Sequence, residues 1–220
     1  MKRMFVALSA VSIACATSSG NTTGSGSTAR TGSGADAAMA SPEAKLRADM
    51  RKLWEDHVTY TGLFAIAAIN GGLDANKIAE RLLRNQDDIG NAIKPYYGDA
   101  AGNKLGSLLR DHILIAADLV KAAKAGDSAA QEAANKKWFQ NADDIAGFLS
   151  SANPNWPQKT LQDMLHTHLQ GVTDQVVALL KHDDASLITA YDKNVEHMMM
   201  LADALASGIA KQFPDKFRSS

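Results

Sequence analysis

A unit of about 56 residues recurs along this chain, and it constrains the fold more than any other feature. Asn85-Gln86-Asp87-Asp88-Ile89 is echoed 56 positions later by Asn141-Ala142-Asp143-Asp144-Ile145. A further 56 positions reach His197-Met198-Met199-Met200-Leu201, where the aliphatic position persists and the polar ones change. A second motif runs ahead of the first: Leu53-Trp54-Glu55-Asp56-His57-Val58, Leu108-Leu109-Arg110-Asp111-His112-Ile113 and Met164-Leu165-His166-Thr167-His168-Leu169. Its histidines stand 55 and 56 positions apart (57, 112 and 168). Each copy therefore reads as a helix carrying a histidine, a short turn, and a second helix carrying Asn/Asp or His.

The punctuation agrees with that reading. Ser41-Pro42-Glu43 places an N-cap before a proline at the first helical position. Leu46, Met50, Leu53, Trp54, His57 and Val58 then recur at helical spacing. Turns carry Gly or Asp (Gly72-Leu73-Asp74, Gly126-Asp127-Ser128, Asp183-Asp184-Ala185), and each second helix ends near a proline (Pro95, Pro154, Pro214). No stretch alternates as a strand does. The expected fold is all-α: a six-helix bundle built from three antiparallel αα-hairpins, at about 42–95, 99–154 and 158–213, within a domain spanning residues 41–217.

The N-terminal 40 residues have a different character. Met1-Lys2-Arg3 and the apolar run Met4 to Ala16 fit a secretory signal segment, residues 1–16, too short to span a bilayer. Two processing routes are open: cleavage after Ala16, or lipidation of Cys15 in the manner of a bacterial lipoprotein, despite Ser12 where such signals favour Leu. Residues 17–40 are rich in Gly, Ser, Thr and Ala and form a tether with nothing to bury. The expected address is the cell envelope or periplasm, with the membrane as a partner through a lipid on Cys15.

Charge and cysteine content exclude whole classes of function. With 23 basic and 24 acidic side chains there is no electrostatic footprint for nucleic acid. The one cysteine lies in the signal segment, so an internal disulfide, thiol catalysis and a cysteine zinc site are all excluded. No Walker loop and no nucleophile elbow is present.

The repeated polar residues are the remaining candidates. His57, His112 and His168 each follow an apolar residue by four (Leu53, Leu108, Met164), which sets them on or beside the buried stripe. Asn85 and Asp88 share a face with Ile89, as Asn141 and Asp144 do with Ile145. A buried imidazole needs a partner, and Asn85, Asn141 and His197 fall one hairpin later. One reading is a structural latch in each hairpin. The other is convergence of His57, His112 and His168, with Asp88, Asp144 and His197 nearby, on a zinc, iron or copper ion, with metal-dependent catalysis as its extension. Met198, Met199 and Met200 beside His197 suit copper(I), and equally suit an irregular core. His166 and His168, two apart on a helix, cannot chelate together. Trp54, Trp138 and Trp156 read as packing residues. The expected function is that of a non-catalytic envelope protein, binding or structural in role, with the metal-binding bundle as the alternative.

From Leu46 to Phe217 the chain resembles a family of small, uncharacterised, secreted bacterial helical proteins. The marks are Leu53-Trp54 with His57-Val58 and Tyr60-Thr61, Leu82-Leu83-Arg84-Asn85, Asn141-Ala142-Asp143, Met164-Leu165 with His168-Leu169, and Lys211-Gln212-Phe213-Pro214-Asp215-Lys216-Phe217. Relatives often carry Arg where this chain has Gly62. The resemblance implies a helical fold and no particular activity. Some members are labelled acetylglutamate kinase, but such an enzyme needs an α/β fold and a glycine-rich phosphate loop, which this sequence lacks.

Overall fold

The computed structural model describes residues 41–218. The signal segment, Cys15 and the tether lie outside the described residues. Five α-helices follow one another: α1 (Pro42–Asn70), α2 (Ala75–Ala125), α3 (Ser128–Ala152), α4 (Gln158–Lys181) and α5 (Asp184–Gln212), then a 3-10 turn at Pro214–Phe217. No strand occurs among the described residues, and none of their helices is long and apolar enough to cross a membrane.

Side-chain caps set most of the helix starts. Ser41 accepts from the Ala44 N–H at 3.1 Å, with Pro42 opening the first turn of α1. Asp74, Asp127 and Asp183 cap α2, α3 and α5 in the same way. Gly126 closes α2 in the left-handed region (φ 69°), where a Cβ would be strained, and His182 adopts the same conformation after α4 (φ 55°).

The 51-residue α2 is folded, not straight. Gly98 leaves the helical region (φ 81°, ψ 169°), and the two arms of α2 lie against one another. Arg110 on the second arm donates to Asp87 on the first at 2.9 Å. A Cβ built on Gly90 would stand 2.5 Å from the Gly102 carbonyl oxygen and 3.0 Å from the Gly106 nitrogen. Twelve residues of straight helix would hold positions 90 and 102 about 18 Å apart. The first arm was expected to end near Pro95; it continues to Tyr97, because Pro95 removes only one N–H bond of the helix and the break itself falls at Gly98.

Tyr97 ties this corner to the chain end. Its hydroxyl donates to Gln212 Oε1 at 2.8 Å and accepts from Asn153 Nδ2 at 2.9 Å. Burial pushes its pKa up to about 12, against the opposing effect of the Asn153 hydrogen bond. Trp156 packs on Tyr97 (ring centroids 5.8 Å apart) and donates to the Ala204 carbonyl at 3.2 Å.

Helix α1 packs on α2 and on α5, so the last helix closes the bundle against the first. Arg51 grips Asp203 with two hydrogen bonds of 2.7 and 2.5 Å across that seam. The main core runs through Met50, Trp54, Ile89, Leu109, Trp138, Ile145, Leu165 and Leu201. A smaller cluster of Ala65, Val120, Val176 and Leu179 fills the end near the turns after α1, α2 and α4. Met198 is fully buried and Met200 exposed, as core filling from one helix face requires.

Candidate functional site

Three histidines meet inside the bundle. His57, His112 and His168 are 2%, 3% and 2% exposed. Each stands eight residues before a member of the smaller cluster: Ala65, Val120 and Val176. Nε2 of His57 lies 3.3 Å from Nε2 of His168, and the His112 and His168 rings stack with centroids 6.4 Å apart. Trp54 meets His57 edge-on at 5.5 Å, and Trp138 leans on His112 at 5.3 Å.

Amide side chains hold the far side of every ring. Nδ1 of His57 faces Gln86 Oε1 at 3.3 Å, Nδ1 of His112 faces Asn141 Oδ1 at 2.7 Å, and Nδ1 of His168 faces Asn194 Oδ1 at 2.8 Å. An amide oxygen only accepts, so a ring facing one carries its proton on Nδ1, and the amide's orientation decides the tautomer. Two of these amides are pinned. Gln86 Nε2 donates to the Leu82 carbonyl (2.8 Å) and to Asn85 Oδ1 (3.1 Å), and Asn141 Nδ2 donates to the Leu108 carbonyl (3.1 Å). Asn194 is not pinned: its Nδ2 is buried without an acceptor.

All three rings are neutral near pH 7. Burial is the largest cause in each case, because a charged imidazole loses its water. His57 is held well below its usual pKa, with His168 and His112 adding repulsion and Gln86 opposing. His112 falls to about 3, by burial and then His168, against the Asn141 hydrogen bond. His168 falls to about 4, by burial, with Asn194 opposing and His197 adding to the fall.

A neutral ring with a proton on Nδ1 leaves Nε2 bare. The His57 and His168 Nε2 lone pairs then point at each other across 3.3 Å. Turning the Asn194 amide end for end relieves this: its NH2 would donate to His168 Nδ1, and His168 would donate from Nε2 to His57. The pair thus has two arrangements, selected by one amide.

The sequence-derived partners are partly corrected. His112 pairs with Asn141 as the spacing suggests. His57 pairs with Gln86, one residue past Asn85, and His168 pairs with Asn194, three before His197. Asn85, Asn141 and His197 share a different contact: each donates to the carbonyl four residues before a core histidine. The bonds run to Leu53 (3.0 Å), Leu108 (3.1 Å) and Met164 (2.7 Å). Gln86 and Asn194 escaped the sequence reading because neither sits in the 56-residue register.

The six candidate ligands are not all brought together. Asp88 and Asp144 are exposed, and His197 spends Nε2 on the Met164 carbonyl. They project away because each immediately precedes the buried Ile89 or Ile145, and adjacent helical positions diverge by about 100°. Among the described residues, no group of three or more His, Cys, Asp or Glu side chains is arranged as a metal centre. His166 instead meets Asp143 at 2.8 Å, at positions 56 beyond Arg110 and Asp87.

Asn141→Ala should strand two buried groups at once, the His112 Nδ1–H and the outward lone pair of the Leu108 carbonyl. Urea unfolding should show a loss of about 2–3 kcal/mol, against near-zero for the exposed Asp144→Ala. Equal losses would show that Asn141 contributes no more than a surface side chain.

The chain matches no family model, no curated protein and no solved structure.

Proposed function

We propose that this is a non-catalytic helical-bundle protein of the cell envelope, exported through residues 1–16 and held by a lipid on Cys15 at the end of the 17–40 tether. Its bundle is read as three αα-hairpins, the two arms of α2 belonging to successive hairpins. We place it with the small secreted bacterial helical proteins it resembles in sequence.

One observation carries the non-catalytic reading: the recurrent histidines, and the Asn or His that follows each one hairpin later, are consumed inside the bundle. Asn85, Asn141 and His197 brace backbone carbonyls, and the three histidines are held by amides. None of the most prominent surface clefts is lined by His57, His112 or His168. Substrate chemistry needs a reactive group that a substrate can touch.

Intact mass of the protein recovered from the envelope fraction tests the address. The expected species begins at Cys15 and carries the mass of attached acyl chains. A mature start at Thr17 would remove the lipid anchor and leave export standing. An unprocessed Met1 form in the cytoplasm would overturn both.

A further inference from the structure

We propose that His57 and His168, with His112 as third ligand, form a buried binding site for a late first-row transition-metal ion. The proposal is independent of where the protein resides, and rests on geometry.

The spacing of the two facing nitrogens is that of ligands on one ion. With metal–nitrogen bonds of about 2.0–2.1 Å, two nitrogens 3.3 Å apart subtend about 104–111° at the metal, which brackets the tetrahedral angle. The third ring is close to place. His57 and His168 have centroids 5.3 Å apart, and His112 and His168 6.4 Å, so His112 needs an inward shift of roughly an ångström, and a turn out of its stack on His168 (interplanar angle 23°), to complete a three-histidine face. That shift is why the described arrangement is not itself a finished metal centre.

The outer contacts are those a metal-bound imidazole requires. A ligating histidine donates its other N–H to an oxygen, which fixes the tautomer and turns the free lone pair toward the ion. Gln86, Asn141 and Asn194 supply that oxygen to all three rings. The arrangement with both Nε2 atoms bare is repulsive when nothing lies between them and favourable around a cation. Asn194 thereby gains a role: reversed, it supports a His168-to-His57 hydrogen bond, and in the orientation observed it prepares the pair for metal. Imidazole donors suit zinc and copper.

Trp138 stands between this site and a surface cleft. This side chain packs on His112 and also lines a cleft of about 350 Å³ bounded by Leu119, Val172 and Val176. Swinging the indole aside would open the cleft toward the histidines.

The test uses the mature chain without a histidine tag, unfolded, refolded with one equivalent of Zn2+, or of Cu+ under anaerobic reducing conditions, and desalted. Elemental analysis should find about one ion per chain for at least one metal. Long-range 1H–15N spectra should show the His57 and His168 Nε2 resonances moving on loading while His166 and His182 stay in place. Asn194→Leu should weaken binding by about 10–100-fold, the usual effect of losing an outer-shell partner. Retention of less than about a tenth of an equivalent with both metals would overturn the site. So would bound metal with unmoved His57 and His168 Nε2 resonances, a readout on the unmutated protein that does not depend on any variant folding. Unchanged affinity in a folded Asn194→Leu protein would remove the tautomer argument and with it the proposal.

Discussion

Acidification from pH 7 to pH 5 should remove about 4 kcal/mol of folding stability through His112 and His168, roughly 2 kcal/mol each, with a further loss through His57. In the unfolded chain each imidazole protonates near pH 6.5. In the folded chain His112 waits until about 3 and His168 until about 4, and His57 is also held well below 6.5. Between those limits the unfolded state binds more protons, so stability falls as pH falls. The loss begins near 6.5 and continues until the folded-state values are reached. A domain of this size has about 5–15 kcal/mol in total, so the bundle should lie close to its unfolding threshold by pH 5. Urea midpoints at pH 7, 6 and 5, with an unchanged slope, are the measurement. A flat profile over that range would mean that the histidines are not buried and neutral.

Gly90→Ala should cost about 3–4 kcal/mol, at or above the top of the usual range for overpacking. The added methyl would meet the Gly102 carbonyl oxygen at 2.5 Å and the Gly106 nitrogen and Cα at 3.0 and 3.1 Å. These are backbone atoms of the opposite arm and cannot rotate away as a side chain can. The arms would have to separate, loosening the Arg110–Asp87 pair and the core beneath it. Gly147→Ala is the control. Its nearest foreign atom is Gln158 Nε2 at 3.5 Å, an ordinary contact, and alanine is favoured in a helix. Thermal unfolding of the two variants should separate them clearly; equal midpoints would show that the arms are not in such close contact.

Helix ends and buried faces were legible in the sequence because they depend on local chemistry. Ser41-Pro42, Asp74, Asp127 and Asp183 announce helix starts through their capping oxygens, and His57, His112 and His168 sit beside apolar residues one turn earlier. What joins distant segments was harder to read. That Gly90, Gly102 and Gly106 form one close crossing depends on Gly98 turning the chain back. Gln86 and Asn194 could have been found only by asking which amides lie within reach of each ring, since neither follows the period. Asp88 and Asp144 do follow it and yet face solvent, because adjacent positions on a helix diverge by about 100°.

The bond made by Asn85, Asn141 and His197 bears on how such a chain can diverge. At each place an N–H reaches a carbonyl whose helix is already closed, giving that oxygen a second donor. Either an amide or an imidazole meets the requirement, so selection at these positions acts on an atom at a fixed reach and leaves the residue free to drift. Ancestry in a bundle of this kind would then be written in its donor–acceptor geometry long after it has faded from the letters.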